Sequence, residues 1–247
     1  MDPTKYDPPA GLLDDRVILI TGASDGIGKA LALACARLGA HVILHGRNTG
    51  KLEATYDEIV ALESVQRPSI AVLDLATADS GAYLSLAKSV ESEFGRLDGL
   101  VHNASILGQR LSIEQYDAGE WQQVLHVNLT AAFALTQVLL PPLRSAADPS
   151  IIFTSSGVGR VGKAFWGAYA VSKFGIEALS QILANEHEHT DLRVNCINPG
   201  PTRTKMRLAA YPAEDRDLLP TPADVLPTYL YLLGPDSRGV TGQSLDA

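Results

Sequence analysis

A doubly wound parallel α/β sheet, one domain with helices on both faces, is the fold class that this 247-residue chain predicts. Apolar runs of strand length alternate with amphipathic helical stretches from one end to the other. No linker, repeat or low-complexity segment interrupts the alternation. The polar and glycine-rich motifs fall where strands end, which is where the crevice of such a sheet opens.

The elements follow in order. Residues 16–21 (RVILIT) read as a buried strand, and 26–38 as a helix ended by Gly39. A strand over 41–45, a helix over 49–63, a strand over 70–73, a helix over 80–94 and a strand over 98–102 come next. Residues 120–140 give a long helix stopped by Pro141 and Pro142. A strand over 150–154, a helix over 168–187 and a strand over 192–197 bring the count to six strands and five helices. Thr221-Pro222 supplies a cap and a first-turn proline for a last helix ending near Leu233, and residues 243–246 add a short seventh strand. Residues 1–14 form an N-terminal extension. Residues 200–221, with Met206, Leu208 and Tyr211 among charges, form a loop that closes over a substrate.

Composition narrows the function classes. A formal net charge of −8 argues against a nucleic-acid surface, which needs a basic patch. Cys35 and Cys196 both lie in apolar patterns, so buried free thiols and a reducing, cytoplasmic setting are expected. Residues 1–11 lack a basic segment followed by an apolar run, so no secretory signal is read there. The apolar stretch 127–143 is broken by polar residues and prolines, and reads as a core helix, not a membrane span.

The first strand runs into Thr21-Gly22-Ala23-Ser24-Asp25-Gly26-Ile27-Gly28, which opens a helix. Glycines there let the backbone turn sharply and approach a pyrophosphate, whose charge the helix N-terminus meets. The second strand ends at Gly46-Arg47, where a carboxylate for a ribose 2′-hydroxyl is missing and a cation suited to a 2′-phosphate is present. NADP(H) is therefore favoured, with NAD(H) possible, although Asp25 places a negative charge in the same region. At the other end, Tyr169 and Lys173 are four residues apart on one helical face, thirteen positions beyond Ser156. A nearby ammonium favours the phenolate and draws a tyrosine toward working range, while a serine hydroxyl holds a substrate oxygen.

On these motifs the chain resembles a classical short-chain dehydrogenase/reductase over essentially its whole length. The matching pieces are residues 21–28, Asp74, Asn103-Ala104, Asn128, Ser156, Tyr169 with Lys173, and Pro199-Gly200 followed by Thr204. Residues 198–204 and 221–224 are most similar to the bacterial YciK-type branch. The resemblance implies a Rossmann-like fold and hydride transfer between a nicotinamide cofactor and a small carbonyl or alcohol. Tyr169 would exchange the proton, Lys173 would fix the cofactor ribose and lower the tyrosine pKa, and Ser156 would position the substrate oxygen. Asn128 would hold a water in a relay through Lys173. The cofactor would meet Gly22, Ser24, Asp25, Gly26, Ile27 and Gly28 at the first turn, then Arg47, then Asp74 and Leu75 near the adenine. Asn103 and Ala104 would face the adenosine ribose side, and Ile197, Pro199, Gly200, Thr202 and Thr204 the nicotinamide end. One departure is Ser105, where the family pattern carries a glycine.

Several further features carry competing readings. An extended-type epimerase or dehydratase needs a different glycine spacing and a larger C-terminal domain; a sensor or scaffold would show a broken tetrad. No metal is expected, since His187 and His189, two apart, face different sides of a helix. Trp166 is either a substrate wall or plain packing. Arg160, Lys163, Arg203, Lys205 and Arg207 border the expected substrate opening, and would draw an anionic substrate unless they are simply loop charges. The two long helices carry apolar residues on more than one side, including Phe133 and Phe174. Relatives pair these helices across a two-fold axis, which implies a homodimer or homotetramer.

Overall fold

The computed structural model describes residues 2–62 and 65–247. Seven parallel strands stand in the order β3-β2-β1-β4-β5-β6-β7. They are β1 (Val17–Thr21), β2 (His41–Gly46), β3 (Ser69–Val72), β4 (Gly99–His102), β5 (Ser150–Thr154), β6 (Arg193–Asn198) and β7 (Ser244–Asp246). Every residue of β1, β4 and β5 is buried, as strands covered on both faces must be. The strand order reverses between β1 and β4, and that switch point fixes where a ligand crevice opens.

The helices are α1 (Gly26–Arg37), α2 (Thr49–Val60), α3 (Ser80–Phe94), α4 (Ala118–Leu125), α5 (Ala131–Arg144), α6 (Gly167–Glu186), α7 (Lys205–Ala210) and α8 (Leu226–Leu233). One core cluster joins α1, α8, Tyr6 and Leu13 to one face of the sheet; a second joins α3, α5 and α6 to the other. The N-terminal extension is tied down by Tyr6, whose ring lies 5.4 Å from that of Tyr231 and whose hydroxyl donates to Asp236 at 2.8 Å.

Strand bounds agree with the sequence reading to within a residue or two, but four features differ. The helix expected over 120–140 is α4 and α5 joined by a π-helical turn, His126–Thr130. It starts at Ala118 because Asp117 accepts from the Glu120 N–H at 2.8 Å. Pro141 and Pro142 do not stop it; they sit in its last turn, held by fully buried Leu143 and by the Leu97 N–H bonded to the Pro142 carbonyl at 2.9 Å. By length and composition the run Ala118–Arg144 would cross a membrane, yet Leu135, Leu139 and Leu143 are wholly buried in the second core cluster.

Second, α2 ends at Val60; the expected end, Glu63, lies outside the described residues. Third, Thr221-Pro222 is not a helix cap. The Asp224 carboxylate accepts from both the backbone N–H and hydroxyl of Thr221 at 2.7 Å, closing a turn, and α8 begins only at Leu226, with Pro227 in its first turn. Fourth, the expected loop 200–221 contains α7, capped by Thr204, whose hydroxyl accepts from the Arg207 N–H at 3.1 Å, and a 3-10 turn, Arg216–Leu218.

Candidate active site

The carboxyl ends of the central strands open onto a cleft of about 590 Å³. At its floor Thr21 stitches β1 to β4: its hydroxyl accepts from the backbone N–H of Asn103 at 2.9 Å and of Ala104 at 3.0 Å. The turn that follows is shaped by two glycines. Gly22 has φ +69°, and a Cβ there would come within 3.0 Å of the Ala104 Cα. A Cβ on Gly28 would lie 2.3 Å from the Gly22 carbonyl oxygen, so only glycine lets α1 seat this close to the strand end. The N-terminus of α1 thus faces the cleft through Ser24, Gly26 and Ile27.

Asp25 caps α1 by accepting from the Gly26 N–H at 2.9 Å. Its carboxylate is also bound by the Lys205 ammonium at 2.6 Å, with the Lys51 ammonium 3.9 Å away. The Lys205 bond above all holds this carboxyl below its ordinary range. The negative charge that stood against a phosphate in the sequence reading is therefore answered inside the protein. Arg47 stands exposed past the end of β2 and makes no ion pair among the described residues. A helix N-terminus behind a glycine turn, with a free guanidinium beyond the neighbouring strand, fits a dinucleotide bearing an extra phosphate.

Asp74 and Leu75 line the far wall, with Asp74 accepting from the Ala76 N–H at 3.0 Å. Asn103 donates to the Thr21 carbonyl at 3.1 Å and lines the cleft with Ala104. Pro199, Gly200, Thr202 and Thr204 line the opposite lip after β6, whereas Ile197 is fully buried beneath it. Gly28 and Asn128 lie behind the cleft lining and act through packing and hydrogen bonds. Ser105 does not adopt a left-handed conformation, so the missing family glycine costs no strain.

The catalytic candidates converge at the junction of β5 and α6. Tyr169 and Lys173 are 7% and 3% exposed, and the Lys173 ammonium sits 5.5 Å from the centre of the Tyr169 ring. It donates to the Thr154 carbonyl at 2.7 Å. Burial draws the Lys173 ammonium down to about 8, against the opposing influence of Cys196 and Glu177. Burial also pushes the Tyr169 phenol up to about 12, with the hydroxyls of Ser156 and Ser105 pulling it partway back. The lowering of the tyrosine expected from Lys173 is thus not seen in the protein alone: desolvation outweighs it, and the ammonium is committed to a carbonyl.

Asn128 sits in the π-helical turn, with its side chain fully engaged. It accepts from the Ile106 N–H at 2.8 Å and donates to the Ile106 carbonyl at 2.9 Å and the Ser172 hydroxyl at 3.1 Å. This clamps the segment after β4 to α6 one residue away from Lys173. Such π turns recur at functional sites because they redirect side chains locally. Ser155 is structural, donating to the buried Glu177 carboxylate at 2.5 Å.

The family model for short chain dehydrogenases matches residues 16–215. This chain belongs to that family. The dehydrogenase is 50% identical over 242 residues to the oxidoreductase YciK of Escherichia coli K12, spanning 98% of this chain and 95% of that one. Among solved structures it is similar to a short chain dehydrogenase of Shigella flexneri 2a complexed with NADP, with a TM-score of 0.93 and 48% identity across 96% of this chain and 99% of that one. It is equally similar to one of Escherichia coli CFT073 complexed with NADPH, with a TM-score of 0.93 and 50% identity across the same shares. It is an oxidoreductase of this family.

The dehydrogenase also contains site residues that its sequence did not single out. Ser105 was noted only as a lost glycine, yet its hydroxyl acts on the Tyr169 phenol. Leu107, Gln123 and Met206 line the cleft, and nothing in their local pattern separates them from ordinary packing positions. The five cations read as a lure for an anion are mostly spent. Arg160 pairs with Asp246 at 2.7 Å, Arg203 with Asp217 at 3.4 Å, Lys205 with Asp25 at 2.6 Å, and Arg207 with Glu214 at 2.5 Å. Lys163 is exposed and lies outside the cleft.

Proposed function

We propose that the dehydrogenase moves a hydride between NADP(H) and a carbonyl or alcohol, with Tyr169 exchanging the proton at the substrate oxygen. One observation carries this reading: the buried Tyr169 phenol, flanked by Ser156 and Ser105, lies in the same cleft as the Gly22–Gly26 turn and Arg47. The bound nicotinamide supplies the hydride or accepts it. Every other task falls to the chain. Arg47 binds the 2′-phosphate, Asp74 and Leu75 bound the adenine, and Asn103 and Ala104 bound the adjoining ribose. The Pro199–Gly200 turn with Thr202 and Thr204 holds the nicotinamide end.

Ser156 holds the substrate oxygen while Tyr169, protonated at neutral pH, donates to it. Lys173, cationic below about pH 8, places positive charge beside the ring as negative charge develops on the phenol oxygen. Lys173, which donates to the Thr154 carbonyl in the protein alone, would hold the cofactor ribose and keep its charge beside the Tyr169 ring. Asn128 fixes α6 against the segment after β4, so that Tyr169 keeps its aim. The NADP and NADPH bound by the two similar structures support the cofactor assignment. The buried, unpaired Cys35 and Cys196 suit a cytoplasmic protein. Exposed Phe133 on α5, with Val171, Phe174 and Ile182 on α6, supports pairing of these helices in a homodimer or homotetramer.

Tyr169→Phe tests the reading directly, because only the hydroxyl leaves a buried site. Turnover should fall by several orders of magnitude while NADPH binding, followed by its fluorescence, is kept. Activity within tenfold of the unaltered enzyme would sink the acid/base role.

A further inference from the structure

Beyond Tyr169 the cleft changes character. Val158, Trp166, Tyr169, Ala170 and Ala210 form a separate buried apolar cluster, against which Leu107, Met206 and Tyr211 pack. Trp166, only 8% exposed, lines the cleft with its ring centre 5.6 Å from that of Tyr169 and tilted 48° to it. The backbone around Trp166 is held in an unfavourable form. Phe165 has φ +67°, a conformation rare for a bulky residue, and a Cβ on Gly167 would lie 2.6 Å from the Tyr116 ring.

Arg110 holds the wall from behind. Its guanidinium centre lies 4.5 Å from the Trp166 ring and 4.7 Å from the Tyr211 ring, and it donates to the Ala210 carbonyl at the end of α7. It does not itself line the cleft. The one basic side chain of α7 that does so beside this chamber, Arg207, is held by both oxygens of Glu214 and stacked 4.0 Å from Tyr211. A carboxylate entering here would lose its water and find no uncommitted cation, a cost that burial makes large. The overall charge of −8 opposes its approach as well.

We propose that this chamber takes an uncharged, apolar ketone carrying a ring, or the matching secondary alcohol, seated against Trp166. Trp166 is the specificity-determining residue, and Arg110 is a positioning residue that acts through it. The inference rests on the oxidoreductase reading above and adds the substrate class to it. In the reducing direction the carbonyl carbon takes a hydride, with its two electrons, from a reduced nicotinamide cofactor. The carbon–oxygen π bond opens onto oxygen, which takes the Tyr169 proton. The products are the alcohol and the oxidised cofactor, and solvent returns the proton to Tyr169.

A matched pair of ketones tests this: acetophenone and 3-acetylbenzoate, which differ by one carboxylate. Calorimetric titration of the NADP⁺-loaded protein should show at least tenfold tighter binding of acetophenone, and NADPH oxidation should favour it by at least tenfold in kcat/KM. Trp166→Ala should raise KM for acetophenone tenfold or more with NADPH affinity unchanged, and Trp166→Phe should restore most of the loss. Arg110→Met should raise the same KM, whereas Arg110→Lys, which keeps the charge over the rings, should recover part of it. Equal or tighter binding of 3-acetylbenzoate, or an unchanged KM in Trp166→Ala, would overturn the proposal. So would absence of binding of either ketone to the NADP⁺-loaded protein. Those outcomes leave the Tyr169 reading standing, because that reading is judged by Tyr169→Phe on whichever carbonyl is turned over.

Discussion

Lys173→Met should make the cofactor-free protein more stable at pH 7 while removing its turnover. Lys173 is 3% exposed, and its ammonium is drawn from an ordinary value of 10.5 down to about 8 by burial. A difference of this size corresponds to about 3 kcal/mol at about 1.4 kcal/mol per pH unit. The sign follows from the direction. Below pH 8 the lysine is charged in both states and the folded chain bears the full desolvation cost. Between about 8 and 10.5 the unfolded chain binds the extra proton, so stability of the unaltered protein rises with pH. Methionine removes the charge at similar length but forfeits the bond to the Thr154 carbonyl, about 1–2 kcal/mol. The net gain is about 1–2 kcal/mol at pH 7, or about 2–8 °C in Tm for a chain of this size. Thermal melts of both proteins at pH 7 and pH 9.5 check it: the variant should lead at pH 7, and the lead should shrink at pH 9.5. A variant that melts several degrees lower at pH 7, or a lead that grows with pH, would refute the assignment of desolvation as the dominant cost.

Two further outcomes follow from the cleft and the helices. Arg47→Ala should weaken NADPH by roughly tenfold to a hundredfold, the scale of one charged hydrogen bond, and leave NADH nearly unchanged in parallel fluorescence titrations; comparable losses for both would remove Arg47 from the 2′-phosphate. Light scattering after gel filtration should give two or four times the chain mass of 26.3 kDa. Phe133→Glu with Phe174→Glu should reduce it to one, whereas a multimer unaffected by both changes would place the interface elsewhere.

The sheet was legible because β1, β4 and β5 are buried on both faces and leave unbroken apolar runs. The Tyr169–Lys173 spacing was legible because a helix turns it into adjacency. Most of what escaped the sequence depends on contacts that only the folded chain makes. The π-helical turn at His126–Thr130 keeps the apolar stripe facing the sheet, so the period reads as one unbroken helix. Pro141 and Pro142 looked like a stop because the sequence does not show that Leu97 bonds the last turn from another element. Asp224 sits three residues from Thr221 and was within reach of inspection, yet a Thr-Pro pair reads equally well as a cap. The pairing of Arg207, Arg203 and Lys205 with acids is a matter of loop conformation, which composition leaves open. Ser105 and Trp166 acquire meaning only once β4 and α6 are placed around Tyr169.

The contact between Lys205 and Asp25 has a mechanical consequence. Lys205 begins α7, which borders the Trp166 side of the cleft, and Asp25 caps α1 at the glycine turn, 180 residues earlier in the chain. Thr204 reinforces the contact, its methyl lying 3.4 Å from where a Cβ on Gly26 would sit. The two compartments therefore share a doorpost, and displacing α7 to admit either molecule loosens the frame of the other. The ammonium is 73% exposed and the carboxylate 45%, so the bond contributes at most about 1 kcal/mol and yields readily to salt. A post this weak ties the two compartments at little energetic cost: whatever shifts α7 is felt at the cap of α1.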